Sequence, residues 1–203
     1  MTDSNWNPND YILKFDPVTT VDGPLVEKPF IYKVGKVLKF VMVEIVPEIK
    51  RAINSDAELA GIVLSLALVD YMAGYHAGKQ STGNDYIDFM DEFFPKEYKA
   101  FNSSIYRDLR NGLMHNLAAI NPWRSSARPF LIHRNLAPHL SLTVEGRVMF
   151  SVPIFLEDAR RAWVMYCYDL IMKKNPDSDD VEKFSKRFDR LDGLGAYMER
   201  IPD

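Results

Sequence analysis

Apolar residues recur at three- and four-residue intervals along most of this chain, which is the spacing of an amphipathic helix. The first such run predicts a helix from Phe30 to about Ile49, and Pro47 should kink or break its last turns. The second run, from about Asp56 to His76, is apolar nearly all round, so we expect a central, buried helix. Ser55-Asp56-Ala57-Glu58 has the residues of a capping box at its start.

The same spacing predicts four more helices, which span about residues 86–94, 103–120, 155–173 and 181–191. Asn102 or Ser103 should cap the second of them, and Pro153 should lead into the third. Between residues 128 and 153 the pattern changes to three short extended runs with a turn at Glu145-Gly146. The expected fold is therefore mainly α, with about four long helices, several short ones and a small antiparallel β-hairpin inserted at about 128–153.

Turn and extended signals dominate residues 1–28, which predicts an N-terminal arm lying on the body or, alternatively, swapped onto a partner subunit. The domain organisation that follows has three parts. They are the arm at 1–28, a helical domain with its hairpin insertion at 29–175, and a C-terminal helix and tail at 176–203.

Composition narrows the class of protein. The chain is 47% apolar and 26% charged with a formal net charge of −3, which argues against a strongly basic nucleic-acid surface but allows a local one. A single cysteine, Cys167, rules out an intrachain disulfide and fits a reducing cytoplasm. No secretory signal is visible, and the most apolar run, residues 60–73, is too short for a membrane span and carries Asp70. We expect a cytoplasmic protein with no membrane contact.

The stretch SSIYRDLRNGLMHN, residues 103–116, carries the clearest candidate chemistry. On a helix that continues to Ile120, the apolar residues 106, 109, 113, 117 and 120 form one buried stripe. The opposite side presents Arg107, Arg110, Asn111 and His115 within about 140° of arc. Arginine fits a phosphate with a planar fork of donors, and histidine exchanges protons near neutral pH. This side therefore suits binding a phosphodiester and moving a proton at it, although a solvated face with a structural histidine is the alternative.

The spacing Arg110-Asn111-x3-His115, late in an inner helix, resembles the signature of the HEPN superfamily (higher eukaryotes and prokaryotes nucleotide-binding domain). Residues 106–113 also resemble the LRNG(L)xH run of bacterial HEPN-like proteins. The resemblance implies a HEPN-like bundle and metal-independent RNA cleavage at a cleft between two protomers. Arg110 would bind the phosphate, His115 would transfer a proton, and Asn111 would hold the substrate or the histidine.

Three more residues are assigned to substrate binding. Arg107 lies on the motif face, and Arg124 lies in a basic loop just after it. Asp70 is a carboxylate in an apolar helix, so it needs a partner, and it is expected either to pair with Arg107 or Arg110 or to lie solvated at the rim.

Neither a metal nor a cofactor is predicted. The chain has no zinc-type Cys/His set, no Walker-type loop and no Gly-x-Ser-x-Gly elbow. His115, His133 and His139 lack the tight spacing of metal ligands.

Three interpretations stay open: a ribonuclease of toxin or defence type, a non-catalytic HEPN-like interaction or oligomerisation protein, and an unrelated helical protein. Gly112 inside the motif loosens the helix, and the overall acidity does not help RNA binding. The expected partners are RNA, a second copy of the chain, and a partner or antitoxin protein. The apolar Met114 and Ala118 on the polar side indicate a homodimer contact, or cover by the hairpin or arm of the same chain.

Overall fold

A computed structural model describes residues 29–55, 57–123, 125–136, 138–172 and 177–192. The expected N-terminal arm and Arg124 lie outside the described residues. The helices are α1 (Pro29–Lys39), α2 (Val46–Asn54), α3 (Glu58–Ala77), α4 (Gly83–Phe93), α5 (Asn102–Ser104), α6 (Asn111–Asn116), α7 (Val152–Met172) and α8 (Asp179–Asp192). Two π-helical segments, Phe40–Ile45 and Ile105–Arg110, join α1 to α2 and α5 to α6, and Lys96–Ala100 is a 3₁₀-helix. The strands are β1 (Phe130–His133) and β2 (Val148–Ser151). The described chain is thus mainly helical, as expected.

The first helical run does not end at Pro47 but changes its winding just before it. The Val46 N–H donates to the carbonyl of Val41, five residues back, which is the hydrogen bond of a π-helix. Pro47 then falls in the first turn of α2, where its missing N–H leaves no hydrogen bond unmade. The helix therefore continues to Asn54.

Helix α3 is the centre of the bundle, as the all-round apolar pattern predicted. Ten of its residues are buried, and it packs against α2, α4, α7 and α8. Tyr75 on α3 contacts Trp163 on α7 and Phe184 on α8, with ring centroids 5.8 and 4.8 Å apart. By length and composition α3 is the one described helix that could cross a membrane, but more than half of it is buried inside the fold, as in the core helix of a soluble protein.

The capping box expected at residues 55–58 is wrong. Helix α3 begins after Ala57, which has no side-chain cap, and the Ser55 hydroxyl donates to the carbonyl of Ala52 instead. A capping box does exist at the start of α4. There the Thr82 hydroxyl accepts the N–H of Asp85, and the Asp85 carboxylate accepts the N–H of Thr82 at 2.8 Å.

The small sheet differs from the expected antiparallel one, because β1 and β2 pair in parallel, with Phe130 opposite Val148 and His133 opposite Ser151. The predicted strand at residues 139–144 does bond to the far side of β2 in the antiparallel direction. Leu140, however, has a left-handed backbone with φ of +52°, which interrupts a strand ladder. The turn at Gly146, with φ of +76°, is where the pattern placed it.

Helix α6 ends at Asn116, not at the predicted Ile120. Leu117 takes a left-handed backbone with φ of +51°, and the chain then folds back over Gly112, whose carbonyl accepts the Ala118 N–H at 3.2 Å. A Cβ at position 112 would lie 2.5 Å from the carbonyl oxygens of Ala118 and Ile120. Gly112 is therefore needed for a close backbone approach rather than for a loosened helix.

We expect Gly112→Ala to lower the free energy of unfolding by about 1–3 kcal/mol, because the added methyl group forces two backbone carbonyls apart. Urea unfolding measures the change. Asn116→Ala, at an exposed position on the same helix, is the control and should change stability by less than about 0.5 kcal/mol. Equal stability of Gly112→Ala and the natural chain would show that the fold-back does not depend on this contact.

Candidate functional site

The motif helix, residues 102–116, comprises α5, the second π-helical segment and α6. Ile105 joins Leu109 and Leu113 in the core at helical spacing, whereas Leu117, expected on the buried stripe, lies beyond the end of the helix and is 72% exposed. Asn102 does not cap this helix, contrary to the prediction, since the residue before it is the cap. It is buried, and its side-chain amide donates to the Asp91 carboxylate at 2.7 Å.

An ion pair between Asp70 and Arg110 joins the central helix to the motif helix. Arg110 Nε and Nη2 both donate to Asp70 Oδ2, at 2.9 and 2.8 Å. The side chain of Asp70 is only 19% exposed, and that of Arg110 is 23% exposed. This confirms the predicted pairing of Asp70, with Arg110 rather than Arg107 as its partner.

Three neighbours fix the pair in place. Asn111 Oδ1 accepts a hydrogen bond from Arg110 Nη1 at 2.9 Å, and the Ser81 hydroxyl donates to Asp70 Oδ1 at 3.3 Å. The Tyr106 ring lies under the guanidinium, 5.5 Å from Cζ. Three of the five N–H donors of Arg110 are thus engaged with described residues, and two are left for a ligand.

Tyr86, which the sequence pattern assigned only to the core, borders this pair. Its ring lies 5.1 Å from that of Tyr106, and its buried hydroxyl has no hydrogen-bond partner among the described residues. Burial, together with the nearby charge of Asp70, raises the pKa of Tyr86 well above its ordinary value, so the phenol stays neutral. An alternating apolar pattern could not have distinguished this tyrosine from a phenylalanine.

Arg107 and His115 lie in a different environment on the same helix. Both are exposed, and neither side chain has a hydrogen bond or ion pair with another described residue. Arg110 and Asn111, in contrast, are partly buried. The structure therefore divides the predicted motif face into an inner, restrained half and an outer, solvated half. Met114, expected at a dimer contact, is partly buried against the core of its own chain.

His133 and His139 do not join His115. His139 lies in a chain of hydrogen bonds: the Ser151 N–H donates to His139 Nδ1 at 3.0 Å, and Nε2 lies 2.8 Å from the Tyr98 hydroxyl. That hydroxyl donates to Asp158 Oδ2 at 2.8 Å. Within the described ranges no group of three or more metal-ligating side chains occurs.

The hydrogen-bond chain assigns the protonation states of its members. Since Nδ1 accepts from a backbone N–H, the neutral imidazole carries its proton on Nε2 and donates it to Tyr98. Burial, and then the nearby charge of His133, lower the pKa of His139 to about 4. Burial also raises the pKa of Asp158, which the hydrogen bond from Tyr98 opposes. The network ties the β segment to α7 and the 3₁₀-helix.

We expect single substitutions Asp70→Asn and Arg110→Gln each to lower the free energy of unfolding by about 1–3 kcal/mol, because each leaves a half-buried charge unpaired. The double variant should cost about 1–2 kcal/mol less than the sum of the two. Urea unfolding of all four proteins measures this coupling. The exposed pair Glu48 and Arg51 is the matched control, and its coupling should be below about 0.5 kcal/mol. Additive effects at Asp70 and Arg110 would contradict the pairing.

Acid should weaken the fold through His139. Its pKa is about 4 in the folded protein against an ordinary value of 6.5, so the unfolded chain binds the proton more tightly. Its contribution to stability is therefore complete above about pH 6.5 and is lost as the pH falls towards 4. His139→Gln should lower the free energy of unfolding at pH 7 by about 1–2 kcal/mol.

Urea unfolding at several pH values tests this. Since His139→Gln keeps the oppositely shifted Asp158, the stability gap between it and the natural chain should narrow on acidification. A gap that is constant from pH 7 to pH 4 would contradict the lowered pKa of His139.

Comparisons of the chain with protein-family models, with curated proteins and with solved structures found no match.

Proposed function

We propose that this protein is a HEPN-like, metal-independent endoribonuclease that acts through Arg110, Asn111 and His115. The observation that carries the proposal is the division of the motif helix. Asp70 and Asn111 hold Arg110, and two of its N–H donors have no partner among the described residues. His115, five residues further along the helix, is exposed and also has no partner among the described residues. A restrained cation and a free imidazole about 7.5 Å apart along one helix are the groups that this cleavage needs.

The chemistry would be an internal transfer at phosphorus. The ribose 2′-oxygen attacks the adjacent phosphorus atom, a bond to the 2′-oxygen forms and the bond to the 5′-oxygen breaks. A cyclic phosphate and a free 5′-hydroxyl result. One proton leaves the 2′-hydroxyl and one reaches the leaving 5′-oxygen; His115 carries one of these two transfers and water carries the other. Arg110 stabilises the charge that develops on the phosphate oxygens.

Asp70 and Asn111 are positioning residues in this scheme. Because they hold the guanidinium in one orientation, no side-chain freedom is lost when the phosphate arrives. We propose with it that the protein is a cytoplasmic, homodimeric ribonuclease of toxin or defence type, which a partner or antitoxin protein restrains.

A second function is favoured by a different observation. The charge of Arg110 is already matched by Asp70, and Leu117 is exposed beside the motif. A non-catalytic HEPN-like interaction protein would use this pair to join two helices and the exposed leucine to contact a second copy. That protein would form a dimer that Leu117→Glu disrupts.

Cleavage of single-stranded RNA in excess EDTA tests the first function. We expect the natural chain to cleave a labelled oligoribonucleotide. His115→Ala should cleave it at least about 100-fold more slowly, because general acid–base catalysis contributes at least that factor to the rate. Asn116→Ala, exposed on the same turn, should keep full activity. Circular dichroism confirms that both variants fold.

Equal cleavage by His115→Ala and the natural chain would overturn the catalytic assignment. Absence of cleavage, together with a dimer in light scattering that Leu117→Glu dissociates, would favour the interaction function instead.

A further inference from the structure

We propose that Trp123 is a base-stacking platform for single-stranded RNA, next to the outer half of the motif helix. The inference rests on the proposed function and adds to it the part of the substrate that the surface recognises. The indole is 85% exposed, which is unusual for the largest apolar side chain.

Two backbone anchors hold the segment that carries Trp123 against the motif helix. The Asn121 side-chain amide donates to the carbonyl of Arg107 at 3.0 Å, and Asn121 Oδ1 accepts the N–H of Trp123 at 3.1 Å. On the other side of the loop, the N–H of Arg128 donates to the buried carboxylate of Asp108 at 3.1 Å. Asn121, two residues before Trp123, is therefore bonded to the motif helix at Arg107, whose side chain is exposed.

Charge selects the kind of partner. Residues 107–147 contain six arginines, no lysine and only two carboxylates, Asp108 and Glu145, in a chain of net charge −3. Asp108 is buried and binds the backbone of Arg128, whereas the side chains of Arg107 and Arg128 are exposed. An exposed indole on a segment that is bonded at Arg107 and Arg128, whose side chains are both exposed, fits a polyanion with aromatic bases, since a base can stack on the indole while these arginines contact phosphates. A duplex keeps its bases stacked inside and offers no free face to Trp123.

Fluorescence anisotropy with a labelled 2′-O-methyl-oligouridylate of about twelve nucleotides tests the proposal, because this probe lacks the nucleophilic 2′-hydroxyl and is not cleaved. We expect Trp123→Ala to weaken binding about 5- to 100-fold, whereas Trp123→Phe keeps most of the affinity. Leu136→Ala, which removes another exposed apolar side chain, is the matched control and should bind like the natural chain. Arg107→Gln should reduce the salt dependence of binding by about one phosphate contact.

Binding by the natural chain that Trp123→Ala leaves unchanged would overturn the stacking role without affecting the proposed ribonuclease. Equal affinity for a duplex of the same length would overturn it too. If the natural chain neither binds the probe nor cleaves unmodified RNA, both proposals fail. Loss of a dimer on Trp123→Ala with unchanged RNA affinity would assign the indole to a contact between copies and overturn the stacking role.

Discussion

The ion pair between Asp70 and Arg110 is the interaction on which the candidate site depends. A carboxylate in the middle of the most apolar helix would be costly without a partner, and a guanidinium on a neighbouring helix supplies one at 2.8–2.9 Å. The pair joins the motif helix to α3 at a contact from which both side chains are mostly shielded. This contact and the hydrogen bond to Asn111 together engage three of the five N–H donors of Arg110, and the other two have no partner among the described residues.

The motif helix also organises the loops beside it. Gly112 allows the chain to fold back immediately after the last turn, which brings residues 117–120 against the helix. The following segment then bonds to consecutive residues of the helix, with Asn121 on the carbonyl of Arg107 and Arg128 on the carboxylate of Asp108. The motif helix thereby holds both the inner ion pair and the outer loop, so that a change in its geometry would alter both.

The sequence predicted those features that depend on average burial. The central position of α3 and the buried Leu109 and Leu113 follow from apolar spacing. The cost of an unpaired charge indicated a partner for Asp70, but it did not decide between Arg107, Arg110 and a solvated position at the rim. The parallel pairing of β1 and β2, the π turn and the end of α6 depend on single backbone conformations, such as the left-handed Leu140 and Leu117. Spacing does not report these, since any L-residue can in principle occupy such a position at a cost of about 1–2 kcal/mol.

The distribution of charge reconciles an acidic chain with an anionic ligand. Residues 107–147 carry a formal charge of +4 and the whole chain −3, so the remaining residues carry −7. The excess of positive charge therefore lies in the stretch that contains the motif helix, and a local excess of this sign attracts polyanions. Because exposed charges are screened beyond about 8 Å at physiological salt, the local excess rather than the net charge would decide where the phosphates of the proposed RNA ligand bind. Low overall basicity would also limit non-specific association with other RNAs.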